Sequence, residues 1–433
     1  MDARRTSRLA ARDSQRNGAR MFALHETTQR RVCRITFLLV CAVPTLLTLV
    51  AIAYCNRPWR QSDWQQTLAQ HLHLRATLDD ISRPRPGVTV LTEVHLSDLL
   101  NGELLGTIGR LELHKETARQ MLRADHLQLQ SAQLSALADA ISSWFATGES
   151  FLLDFHADRL TIVGDSNAPL ELHDLSIRSD STSMERQRFR VMTRTSSDEI
   201  VELALDFDKN VLRCALDTQQ GSLPAWLIGE LVPGVGGCGD AEFTGALSVE
   251  SSDRRLRGKL VGSFADVDLQ AWIGANCPHD LHGTARVELE PCTWVEDRLE
   301  LVRGKIEAGN GSIGYSLLLN AKDLCACVPG PSWQTLDNAS SDQRIDFEEL
   351  ALSFEMSSAG IRIAGTCEQG GVVRAEGAPL LFAPPSESNQ TVLPVGQLVQ
   401  LLDYRRQPGW LPATRGAIDM AEKLPLPERQ QRE

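Results

Sequence analysis

From about residue 70 onward, apolar and polar side chains alternate with a period of two. Leu72, Leu74, Ala76 and Leu78 are interleaved with His71, His73, Arg75 and Thr77. Successive side chains of a strand point to opposite faces, so this pattern predicts a strand with one buried side. SRPRPG (82–87) breaks it, and VTVLTEVHL (88–96), 105–113 and 122–129 read as the next strands. A helix is predicted over 131–145. Leu134, Leu137, Ile141, Trp144 and Phe145 recur there at helical spacing behind Ser131, a residue type suited to an N-cap. Strands resume over 151–164, 170–179, 188–195, 200–208 and 211–218. A short helix follows over 223–234, opened by Pro224 and closed by Pro233-Gly234.

The alternation is cleanest between 241 and 290. Phe243, Gly245, Leu247 and Val249 share one face of DAEFTGALSVE. Leu256, Gly258, Leu260, Gly262 and Phe264 share one face of RLRGKLVGSF, and Leu281, Gly283, Ala285, Val287 and Leu289 one face of LHGTARVELE. The opposite faces are mostly charged. Three such units predict an antiparallel sheet with a single wet side. Glycine weakens a strand, so its recurrence on the apolar side predicts strong curvature or a close approach. Further strands are expected at 299–309, 312–322, 347–356, 361–367 and 372–377, with a polar loop at 328–344 and a short helix at 396–404.

Charge changes the picture at the N-terminus. Residues 1–34 hold nine arginines against three acidic residues, whereas the whole chain carries −12. An acidic body repels phosphate backbones, which argues against a nucleic-acid partner. The basic stretch stops at Ile35, where 20 uncharged residues run to Tyr54. As a helix these span roughly 30 Å, the hydrocarbon thickness of a bilayer. Arg30, Arg31 and Arg34 outweigh Arg57 and Arg60 on the other flank, so the positive-inside rule places the N-terminus in the cytoplasm. Ala51-Ile52-Ala53 also has the form of a cleavage site, which leaves cleavage of the anchor open.

The expected fold is mainly β. An N-terminal transmembrane helix precedes an elongated, curled antiparallel β-sheet (a β-groove) with a few short helices. The expected parts are a basic cytoplasmic tail (1–34), the anchor (35–55), an N-terminal strand–helix part of the groove (56–165), the groove body (166–382), and a short helix with a C-terminal tail (383–433).

Candidate chemistry is sparse. No GxSxG elbow, P-loop, GxGxxG or HExxH occurs, so no enzyme activity and no cofactor are expected. Cys277-Pro278-His279-Asp280-Leu281-His282 is the densest set of potential zinc ligands, and His71 and His73 share a strand face, but neither forms a complete site. Cys325-Ala326-Cys327 lacks zinc or redox spacing, and the seven body cysteines read as small buried side chains. Asp266 and Asp268 flank Val267 in GKLVGSFADVDLQAWIG. The strand is expected to end near Ala265, with Asp268 as the N-cap of a helix carrying Leu269, Trp272 and Ile273. The pair then marks a strand-to-helix corner.

The anchor, the many short strands and the phrase from Leu256 to Ile273 together resemble the AsmA-like family, relatives of TamB and YhdP in double-membrane bacteria. The strongest likeness covers Leu223 to Ala321. The resemblance implies a curled sheet with an apolar groove, and roles in lipid movement between the two membranes and in envelope biogenesis. Phe243, Leu247, Val249, Leu256, Leu260, Phe264, Leu281, Val287 and Leu289 would then line the groove. Gly245, Gly258, Gly262 and Gly283 would let chains approach. The implied partners are phospholipid or another acyl lipid, the inner membrane and other envelope proteins. The implied location is a single-pass inner-membrane protein with a periplasmic body. The alternative is an anchored, non-enzymatic scaffold whose β core is closed.

Overall fold

The computed structural model describes residues 43–55, most of 74–137, most of 153–384, 392–401 and 421–425, with isolated positions elsewhere. The chain forms two compact units, Met1–Trp64 and Gln65–Glu433. In the first, the described part of the expected anchor is a 13-residue helix, Val43–Cys55, whose Thr48 hydroxyl donates to the Thr45 carbonyl at 2.8 Å. Among the described residues no helix is long and apolar enough to cross a membrane. The tail 1–34 and positions 35–42 of the expected anchor lie outside the described residues.

The second unit is mainly β. Its strands begin with β1 (Leu74–Thr77), β2 (Asp80–Arg85), β3 (Val88–Asp98), β4 (Leu104–Lys115) and β5 (Gln120–Gln130). Next come β6 (Leu153–Val163), β7 (Leu170–Ser183), β8 (Arg186–Arg194), β9 (Ile200–Asp208), β10 (Val211–Asp217) and β11 (Leu223–Pro224). The second half holds β12 (Glu242–Ser252), β13 (Arg255–Asp268), β14 (Leu281–His282), β15 (Thr284–Val295), β16 (Arg298–Ala308), β17 (Gly311–Gly314) and β18 (Val328–Pro329). It ends with β19 (Arg344–Phe347), β20 (Glu349–Ser357), β21 (Gly360–Gly365), β22 (Gly371–Ala375) and β23 (Ala378–Phe382). Twenty of these strands form one sheet, and β14, β17 and β19 form a second, small one.

The large sheet is mixed, not wholly antiparallel. β5 and β6 run parallel, from Gln120 opposite Leu153 to Gln130 opposite Val163. A hairpin cannot join parallel strands, so the intervening stretch must cross over. This is the stretch read as a helix over 131–145. A 3-10 turn at Ser131–Gln133 and helical positions 134, 136 and 137 are described, and the remainder lies outside the described residues. The sheet also runs through the expected boundary at residue 165, since β6 pairs with β7. SRPRPG is not the break expected of it: β1 already ends at Thr77, and β2 continues through Pro84. It lies at the sheet edge, pairing through one side with β3, which is where a strand tolerates proline.

Two further expectations change. LHGTARVELE is two strands, not one. Leu281 and His282 belong to the small sheet, and Gly283 (φ +143°) turns the chain into β15. The segment 312–322 is a strand only as far as Gly314; Tyr315–Leu324 is a helix with Leu317 and Leu318 buried. The predicted helix over 223–234 is helical only from Ala225 to Gly229. That over 396–404 is described from Val395 to Leu401.

One cluster of buried side chains joins the apolar face of the sheet's second half to the elements lying on it. From the sheet come Phe243, Leu260, Phe264, Val287 and Trp294; from the elements on it come Leu281, Ile313, Leu318, Leu336 and Phe347. Those elements all lie in the part of the chain after residue 223. β7 to β10 are joined by tight hairpins with no chain to spare, as in the pairing of Arg194 with Ile200 and of Asp208 with Val211.

Candidate functional site

The strand registers align a continuous apolar ladder. Leu113 opposes Leu122, then Phe155, Ile177, Val191, Leu203, Leu216, Leu247, Leu260, Cys292, Val302 and Met356. Twelve strands are crossed without a polar side chain. A second rung beside it runs Phe189, Leu205, Cys214, Val249, Gly258 and Trp294. The other face carries ion pairs, including Arg190–Glu202 at 3.1 Å, Arg213–Glu250 at 2.9 Å and Arg303–Glu355 at 3.1 Å. The hydrogen bond from Arg213 to Glu250, reinforced by their charges, raises the guanidinium pKa further.

Exposure varies along the ladder. Leu247 and Leu260 are 2% and 0% exposed, and Cys292, Val302 and Met356 are also buried. On β7 to β10, by contrast, Ile177, Val191, Leu203, Leu205, Phe207, Leu212, Cys214 and Leu216 are all partly exposed. The same face is therefore largely buried from β12 onward and partly exposed at these positions of β7 to β10, where Leu175, Phe189 and Val201 are nevertheless buried.

The residues expected to line a groove fall mostly in the sealed part. Phe243, Leu247, Leu260, Phe264, Leu281, Val287 and Leu289 are packed in the core cluster. Val249 is partly exposed and Leu256 is exposed. What approaches the expected groove glycines is the protein itself. A Cβ at Gly258 would overlap the Trp294 ring. One at Gly262 would meet the Phe243 ring at 2.8 Å and overlap the Thr244 carbonyl. Gly245 (φ +153°) faces the backbone of Val261 and Gly262, and a Cβ at Gly283 would lie 3.6 Å from the Phe347 ring. Aromatic rings thus cover the glycines from neighbouring strands. The partly exposed set on β7 to β10 was not singled out from sequence, although RFRVMTRT, IVELALDFD and VLRCALDT carry the same alternation.

β13 runs on to Asp268 rather than ending near Ala265. A bulge between Phe264 and Val267, with Asp266 at φ +58°, turns Val267 into the core at 0% exposure. Asp268 Oδ1 accepts from the N–H groups of Gln270 (2.9 Å) and Ala271 (3.4 Å), at the start of helix Leu269–Ile273. Replacing Asp268 by alanine is expected to cost about 1 kcal/mol, read from urea unfolding.

The densest metal-type cluster is engaged otherwise. His279 is 3% exposed, and its two ring nitrogens contact Ser316 Oγ at 2.9 Å and Asn320 Nδ2 at 3.1 Å. Asp280 pairs with Arg344 at 2.9 Å. Cys277, His71 and His73 lie outside the described residues, among which no group of three metal-capable side chains gathers.

Six body cysteines are free thiols, buried or partly so. Burial pushes Cys214, Cys325 and Cys367 up to about 11, and Cys238, Cys292 and Cys327 up to about 12, from 9.0. The unfolded chain therefore releases these protons first as pH rises. Stability conferred by the neutral buried thiols is full below about pH 9 and is lost progressively toward pH 12. The urea midpoint is expected to be lower at pH 10 than at pH 8, and to recover part of that difference when Cys292 is replaced by alanine.

No protein-family model matches the sequence, and no curated protein matches it.

Proposed function

We propose that the chain is a membrane-anchored, AsmA-like envelope protein that binds lipid acyl chains on the open part of its apolar ladder, contributing to lipid transport or outer-membrane biogenesis. The observation that carries this reading is the partial exposure of most apolar side chains on that face of β7 to β10, while the same face is largely buried from β12 onward. Ile177, Val191, Leu203, Leu205, Phe207 and Leu216 replace the earlier candidates as lining. Apolar burial at roughly 25 cal/mol per Å² gives an acyl chain affinity without polar contacts. In this reading residues 35–55 anchor the chain in the inner membrane, and its body lies in the periplasm.

The test is lipid extraction and mass spectrometry on the chain purified in mild detergent. The expected result is co-purifying phospholipid or another acyl lipid in stoichiometric amount. Lipid-free protein would defeat the proposal. Deleting 35–55 is expected to move the protein from the membrane pellet to the soluble fraction.

A second reading, an anchored scaffold with a closed core, draws on the burial of Phe243, Leu260 and Phe264. It expects no lipid at all.

A further inference from the structure

The wet face of the sheet carries an ordered row of charges. The registers set Asp180, Arg188, Asp206, Arg213, Glu250 and Arg257 side by side across β7, β8, β9, β10, β12 and β13. The sign alternates at every step. Opposite charges on neighbouring strands stabilise each pairing, as in the 2.9 Å contact of Arg213 with Glu250. The row as a whole has a further property. It holds an even number of alternating charges, so it is complementary to its own reversal. Arg188, Arg213 and Arg257 are exposed, and Asp206 and Glu250 are partly so. The row beside it has Ala204 and Ala215 at its middle, small side chains that let another surface come close.

We propose that this charged face docks a second copy of the chain, related by a two-fold axis parallel to the strands. Such an axis reverses the strand order of one copy against the other. Asp206 of each copy then meets Arg213 of the other, and Arg188 meets Glu250. The register extends the match to Asp180 and Arg257, and Ala204 meets Ala215 alongside. Further out, reversal sets Arg178 against Lys259 and Glu202 against Asp217, with Glu202 held by Arg190 at 3.1 Å. These like charges confine the contact to the alternating row and its immediate neighbours. Exposed ion pairs are individually weak and screened by salt, so the association is modest and salt-sensitive. The acyl chains of the lipid reading lie on the opposite face, and the two claims stand or fall separately.

Fluorescence-detected sedimentation of the full chain in mild detergent tests this. The unmodified chain is expected to be dimeric at low ionic strength and to dissociate as salt is raised. Arg213→Glu and Asp206→Arg each set like charges against each other twice per dimer. Either one alone is expected to raise the dissociation constant about ten-fold or more. An equimolar mixture of the two variants is expected to restore the dimer. Asp206 of R213E then faces Arg213 of D206R, and the two substituted positions face each other with opposite charges. Charges that act only within one sheet give no such rescue. Monomeric unmodified protein, a dimer that neither substitution weakens, or a mixture that stays monomeric overturns the proposal. Should either variant fail to fold, Arg188→Glu and Glu250→Arg repeat the mixing test at the next pair, with the same outcomes deciding.

Discussion

Replacing Phe264 by alanine is expected to lower the unfolding free energy by about 3–5 kcal/mol, and Leu205→Ala by roughly 1 kcal/mol. Phe264 is 1% exposed, its ring centroid lies 5.0 Å from that of Phe243, and it opposes Val287 across the β13–β15 ladder. Removing it leaves a cavity that the surrounding strands cannot collapse. Leu205 lies on the same apolar face but keeps contact with solvent, so its loss forfeits less burial and opens no void. Urea unfolding followed by circular dichroism measures both. Equal costs would mean that the face is uniformly sealed.

Gly258→Val is the second large effect, expected at about 1–3 kcal/mol and at the upper end of that range. The new side chain meets the Trp294 ring, which is 1% exposed and has no room to swing aside. The cost is steric, so it depends on the ring. In the double variant with Trp294→Ala the penalty of G258V should shrink by more than about 0.5 kcal/mol, the coupling expected of residues in contact. Additive costs would contradict the view that the aromatic ring occupies the place of the missing side chain.

These two substitutions also show which parts of the structure were legible in the sequence. A period of two assigns side chains to faces, and it does so for Leu247, Leu260 and Phe264 as the registers place them. It says nothing about what covers a face. The cover comes from β14, β17, β19 and helix Tyr315–Leu324, whose docking depends on contacts distant in sequence. YSLLLNAK is apolar enough to pass for a strand, and only its position after the short β17 makes it a helix over the core. The parallel pairing of β5 with β6 was hidden because alternation is blind to strand direction; the predicted helix between them was the clue. Recurrent glycine on the apolar face correctly signals close approach. The approaching groups are Phe243, Trp294 and Phe347, which sequence spacing alone does not pair with their glycines. Asp268 was legible because a cap acts over three residues.

The central claim is that one apolar face is mostly buried at β12 to β16 and offers an acyl chain partly exposed side chains at β7 to β10. Site-specific photocrosslinking tests it most directly, with benzoylphenylalanine placed in turn at Leu205 and Phe207, and at Arg213 on the charged face as a control. The expected result is phospholipid-derived adducts at Leu205 and Phe207, none at Arg213, and loss of the adducts in Leu203→Glu. Folded protein that gives no lipid adduct at either Leu205 or Phe207 would contradict the account.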